Sequence, residues 1–135
     1  MNAKPNTGTT PPSILVVEDF QLLRSSVVQW LQTRFPGCVV HGADSGEQAL
    51  EHARSARPDI VLMDINLPGI DGFEATCRMK AQAPGAEIVM LTMNDTPQHR
   101  AAAASAGAAG YIPKSDMEAQ LEPTVETLLK SRICP

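Results

Sequence analysis

Five side chains in this sequence have the types needed to handle a phosphoryl group: the adjacent carboxylates Glu18 and Asp19, the carboxylate Asp64, the hydroxyl of Thr92 and the ammonium of Lys114. Carboxylates brought within a few ångströms repel one another, so a cluster of three demands a cation. Oxygen donors favour a hard ion, and Mg2+ characteristically takes one or two carboxylates together with carbonyls and waters. A divalent ion, an ammonium and a hydroxyl can together hold a phosphoryl group, whose charge is spread over its peripheral oxygens. One carboxylate can then act as nucleophile and become an acyl phosphate.

Whether these groups meet depends on the segments that carry them. "SILVVE" (13–18), "CVVHGA" (38–43), "IVLMD" (60–64), "EIVMLT" (87–92) and "GYI" (110–112) are short aliphatic runs, the composition of buried strands. Longer stretches with helical spacing separate them. Leu22, Leu23, Val27, Trp30 and Leu31 form an apolar stripe in the first. Ala49, Leu50 and Ala53 do so in the second, and Phe73, Thr76, Cys77 and Lys80 trace a weaker one in the third. "TPQHRAAAASAG" is helix-prone by its alanines, with Pro97 suited to the first turn and Gly107 to the stop. Leu121, Val125, Leu128 and Leu129 mark the last helix, and Ser45 and Asp71 read as N-caps.

Strands alternating with helices predict an α/β domain, a parallel sheet covered on both faces. Ligands of such sheets bind beyond the carboxyl ends of the strands. The first strand ends in Glu18-Asp19, the third in Asp64 and the fourth in Thr92, and Lys114 closely follows the fifth. "DIVLMDINLPGIDG" shows the principle at its plainest: Ile60 to Met63 deliver Asp64 to a strand tip, and the chain then breaks at Pro68, Gly69 and Gly72.

Composition narrows the function. Eleven basic against fifteen acidic residues leave a formal net charge of −4, which argues against nucleic-acid binding by this domain itself. Cys38, Cys77 and Cys134 are scattered without a C-x-x-C pair, so a disulfide framework or zinc site is not expected. Cys38 and Cys77 read as small core fillers. His41, His52 and His99 lack mutual ligand spacing and read as surface or satisfied histidines. No apolar run approaches a membrane span or a signal-peptide core, and a cytoplasmic protein with no membrane partner is expected. Residues 1–12 are rich in Pro, Thr and Asn and read as a disordered tail ahead of a domain over 13–131.

Glu18-Asp19, Asp64, Thr92 and Lys114, in this order, resemble the functional set of the response-regulator receiver domain of two-component signalling. "ADSGEQAL" (43–50), "LPGIDG" (67–72) and "GAAGYIPKS" (107–115) are similar to the same family. The last is closest in form to receivers of LuxR/NarL-type helix-turn-helix transcription regulators. The resemblance implies a flavodoxin-like five-stranded sheet of order 2-1-3-4-5. It implies that Asp64 accepts the phosphoryl group from a histidine kinase or phosphotransfer protein. It also implies that Asp19 holds Mg2+ directly, Glu18 through water, and the Asn66 carbonyl completes the protein ligands. Thr92 and Lys114 would bind phosphoryl oxygens, and Tyr111 would follow the movement of Thr92. The face made by helix 4, strand 5 and helix 5 would carry the signal, homodimerisation included. An ending at Pro135 fits a stand-alone receiver or the receiver part of a DNA-binding regulator.

Two other functions compete. A hydrolase of the haloacid-dehalogenase type wants an acid/base Asp two residues after its nucleophile, where this chain has Asn66. A pseudo-receiver, a binding module indifferent to phosphate, usually lacks the acidic pair, the Asp or the Lys, and here all are kept. Two residues depart from the family pattern. Met93, after Thr92, is larger than the small residue usual there and is expected to narrow the approach to Asp64. Pro123 falls where the last helix should already be running, which predicts either a start at Pro123 after a separate turn or a kink.

Overall fold

A computed structural model describes residues 10–133. Its strands are β1 (Ser13–Val17), β2 (Val39–Ala43), β3 (Ile60–Asp64), β4 (Glu87–Thr92) and β5 (Gly110–Pro113). They alternate with α1 (Gln21–Arg34), α2 (Gly46–Ser55), α3 (Gly72–Gln82), α4 (Pro97–Ala106) and α5 (Met117–Ile133). All four strand pairings are parallel, and the sheet runs β2-β1-β3-β4-β5. This is the flavodoxin-like order implied by the resemblance.

The alternation of side chains along each strand sorts the core into two halves. Leu15, Val17, Val61, Met63, Ile88 and Met90 face α2, α3 and α4, meeting Ala49, Ala75, Met79 and Ala103. Ile14, Val16, Ile60, Leu62, Val89 and Leu91 face α1 and α5, meeting Val27, Leu31, Leu121 and Val125. All five residues of β3 are buried, so Asp64 stands on a stem packed on both sides. Each fully buried Leu or Ile contributes about 1.5–3 kcal/mol, which anchors that stem firmly in the core.

The caps follow the sequence. Ser45 accepts the Gln48 N–H at 3.1 Å, and Asp71 accepts the Glu74 N–H at 2.9 Å. Pro97 occupies the first turn of α4, and Gly107 ends it in the left-handed region with φ 100°. The expected tail lies outside the described residues up to position 9; Pro12, inside them, accepts the Val39 N–H at 2.9 Å.

Several expectations need correction. The inward stripe of α3 is Gly72, Ala75, Thr76 and Met79, which leaves Cys77 exposed rather than in the core. Cys38 is only half-buried. Leu22 points outward with 71% exposure. α5 begins at Met117, after a 3₁₀ turn at Lys114–Asp116, and runs through Pro123, which is therefore not its first turn. His41 and His52, read as surface or satisfied histidines, lie in ring contact at 4.9 Å, and the buried Nε2 of His52 has no hydrogen-bond partner among the described residues.

Candidate phosphoryl-acceptor site

The strands deliver their polar tips to one edge. Glu18 follows β1, its N–H bonded to the Ala43 carbonyl at 3.0 Å, which fixes it against β2. Arg24 reaches back from α1 and donates to the Glu18 carbonyl at 2.7 Å. Its side chain lies against Gly42, where a Cβ would come within 3.1 Å of it. Glu18 itself accepts the Phe20 N–H at 3.1 Å. The β1–α1 connection is thus tied from both ends.

Asp64 and Glu18 are buried, with 2% and 4% of their surface exposed, whereas Asp19 is exposed. One carboxylate oxygen from each of the three lies within 4.8 Å of the others. Lys114 bridges the buried pair, its Nζ 2.9 Å from Glu18 Oε1 and 3.3 Å from Asp64 Oδ1. One ammonium facing three carboxylates leaves the cluster net negative.

The electrostatics follow from burial. Removal from water and the neighbouring Glu18 charge push the Asp64 carboxyl up to about 6, against the opposing pull of Lys114 and the Asn66 N–H. Burial disfavours the Lys114 ammonium, but the Glu18 hydrogen bond and the two carboxylate charges outweigh it and hold its pKa above the ordinary lysine value. The charges need one another.

The loop after Asp64 needs its glycines. Gly69 has φ 74°, and the Glu47 carboxylate from α2 packs beside it, accepting the Ile70 N–H at 3.1 Å. Gly72 opens α3 directly against the Asp64 carbonyl, and any Cβ there would collide with it. The same turn brings the Asn66 N–H to 3.3 Å from Asp64 Oδ1.

Thr92 is buried at the end of β4. Its hydroxyl donates to the Asn94 carbonyl at 3.0 Å and accepts the Asn94 N–H at 2.9 Å. Tyr111 on β5 donates to that same carbonyl at 2.9 Å. One backbone oxygen therefore holds both Thr92 and Tyr111. Neither this link nor the reach of Arg24 was expected from the sequence. Both join residues through backbone atoms, which side-chain patterning does not encode.

A buried carboxylate with a raised proton affinity, an ammonium in contact and a cluster of carboxylate oxygens suited to a hard cation can accept a phosphoryl group. Comparison with known proteins gives this geometry its family. The response regulator receiver domain family matches residues 14–126. Response regulator GacA of Pseudomonas syringae pv. syringae (strain B728a) is 41% identical over 101 residues, 75% of this chain and 47% of that protein. A LuxR-family two-component response regulator from Aurantimonas sp. SI85-9A1 has a solved structure that is 32% identical with a TM-score of 0.82, covering 90% of this chain and 87% of that one. Response regulator TrrA of Thermotoga maritima, solved in complex with Mg2+-BeF, is 32% identical with a TM-score of 0.76 and covers 87% of this chain and 98% of that one. The chain spans about half the length of the curated relatives it matches. Matched along most of its length, this chain belongs to the response-regulator receiver domain family.

Proposed function

We propose that Asp64 is the phosphoryl acceptor of a two-component phosphorelay. The observation that carries this reading is Lys114 bridging Glu18 and Asp64 at buried strand ends. A carboxylate oxygen of Asp64 attacks the phosphorus of a phosphohistidine on a histidine kinase or phosphotransfer protein. The O–P bond forms as the P–N bond breaks, and the leaving imidazole nitrogen keeps the electron pair. Lys114 follows the transferred oxygens with its ammonium, and Thr92 turns its hydroxyl from Asn94 to one of them.

The oxygen-only donor set and its uncompensated charge suit Mg2+, held by Glu18, Asp19 and Asp64 with the Asn66 carbonyl. When bound, the ion neutralises charge on the phosphoryl oxygens and relieves the carboxylate repulsion. The chain assists its own phosphorylation and dephosphorylation and turns over no external substrate. Withdrawal of Thr92 from the Asn94 carbonyl frees one of the two bonds made there, and Tyr111 responds. The change is passed to α4, β5 and α5, the surface for output or homodimerisation. This domain spans residues 13–131 and works in the cytoplasm, alone or as the receiver part of a DNA-binding regulator.

The test is intact mass spectrometry after incubation with Mg2+ and a small acyl-phosphate donor. Gain of one phosphoryl group, lost in Asp64→Asn, is the expected result. No gain with any donor points to a phosphate-indifferent binding module, and sustained consumption of donor points to a hydrolase.

A further inference from the structure

α1 starts without the usual helix-start chemistry: Phe20 at its N-cap makes no side-chain bond, and its first turn holds no acidic residue. Glu18 and Arg24 tie this start to the sheet instead. Glu18 accepts the Phe20 N–H through Oε2 at 3.1 Å, and its own N–H donates to the Ala43 carbonyl at 3.0 Å. Its carbonyl accepts Nη1 of Arg24 at 2.7 Å. To reach that oxygen, the Arg24 stem lies against Gly42 of β2, where a Cβ would stand 3.1 Å from Cδ and 3.3 Å from Cγ. Lys114 supplies the ion pairs of the buried carboxylates, while the Arg24 guanidinium bonds a backbone oxygen.

We infer that Arg24 is a positioning residue for the acidic pair, holding the backbone of Glu18 so that Glu18 and Asp19 present their carboxylates to one divalent cation. This inference rests on the proposed reading of Glu18, Asp19 and Asp64 as a Mg2+ site. Glu18 is buried and Asp19 is exposed, so the short connection from β1 to α1 must aim two adjacent carboxylates from different environments at one place. With its N–H on β2 and its carbonyl on Arg24, Glu18 has the peptides on both sides fixed. The second of these is the peptide from which Asp19 departs. The Arg24 bond is short and charge-assisted, which makes it stronger than a neutral backbone contact. Gly42 belongs to the same device. It lies in ordinary strand backbone without a positive φ, so what its missing side chain provides is room for the arginine stem.

Positioning and plain charge have opposite signs here. Removing a cation from beside an anionic site tightens Mg2+ binding, whereas removing the group that orients its ligands weakens it. The experiment titrates the full chain with Mg2+ at constant ionic strength and reads affinity from the amide NMR shifts. Arg24→Ala and Arg24→Met are each expected to weaken Mg2+ binding about tenfold, the lower end of the range for groups that orient metal ligands. Arg24→Lys keeps a donor and should fall between. Gly42→Ala crowds the arginine without removing any charge and should also weaken binding, by a smaller factor. Combined with Arg24→Ala it should add nothing, because the two changes act through one contact. Unchanged or tighter Mg2+ binding in Arg24→Ala and Arg24→Met, with native-like spectra, overturns the inference, even if their melting temperatures fall. Should those variants not fold, Gly42→Ala decides alone, and unchanged affinity there overturns it. Failure of the native chain to bind Mg2+, or equal binding by Asp19→Asn, would instead sink the metal-site reading on which the inference depends.

Discussion

Two acid–base clusters occupy neighbouring parts of this molecule and differ chiefly in their access to water. In the first, Lys114 joins Glu18 and Asp64, with side chains 14%, 5% and 3% exposed. In the second, Arg100 clasps Asp95, with side chains 53% and 41% exposed. In the first, removal from water raises the proton affinity of Asp64, the Glu18 charge adds to it, and the net negative balance invites a cation. Water screens the second, and such pairs are worth about 0–1 kcal/mol. The buried cluster sets what chemistry is available. The exposed one contributes at most a small stability term.

The comparison breaks most visibly at Lys114. Lys114→Ala leaves Glu18 and Asp64 facing each other without their ammonium, and removal of one partner from a buried ion cluster costs about 3–5 kcal/mol. Urea denaturation in metal-free buffer at pH 8 should show that loss, and saturating Mg2+ should return part of it. A variant as stable as the native chain would mean that the cluster is not held together by charge.

Removing the acid instead should have the opposite sign. The folded-state pKa of Asp64 is raised from 3.8 to about 6, so its ionised form is disfavoured by folding. The corresponding stability is fully present below the unfolded value and is lost as pH rises through about 6. Asp64→Asn should therefore be the more stable protein above that pH, by on the order of 3 kcal/mol. The difference should shrink as pH falls from about 6 towards 3.8. A pH series of denaturation curves checks both sign and window.

The exposed cluster should respond far less. Arg100→Ala is expected to cost under about 1 kcal/mol of stability, and high salt should erase most of it. A larger, salt-independent loss would place Arg100 among the structural residues. Smaller still is the effect expected at Met93, which follows Thr92 and is 73% exposed. Met93→Ala should speed both phosphorylation and dephosphorylation by a few-fold, well under about 1.4 kcal/mol of barrier. Equal rates would dismiss a gating role.

Much of this contrast was legible before the fold was known. β3 and β4 lie where the apolar runs place them, and the other strands differ only at their ends. Strand tips are the one place where a parallel sheet tolerates charge, so Glu18, Asp19, Asp64, Thr92 and Lys114 could be collected from the linear pattern. The phase of α3 could not. "FEATCRM" offers small and apolar residues on adjacent faces, and packing alone turned Ala75 and Met79 inward and Cys77 outward. Contacts between elements were equally hidden. Nothing in the spacing of Arg100 and Tyr111, or of His41 and His52, announces that their side chains touch. Pro123 would by propensity end a helix, yet α5 runs through it, with Leu121 and Val125 buried on either side. Tertiary burial overrode the local preference.

The central claim, that the buried carboxylate of Asp64 is the one that takes the phosphoryl group, has a direct chemical test. After phosphorylation by a small donor with Mg2+, the acyl phosphate is reduced with borohydride, which converts an aspartyl phosphate into homoserine. Peptide mass spectrometry then reads every carboxylate in turn. Homoserine at position 64 alone is the predicted result. Homoserine at Glu18-adjacent Asp19, or at any other aspartate with position 64 untouched, would contradict the assignment of the site.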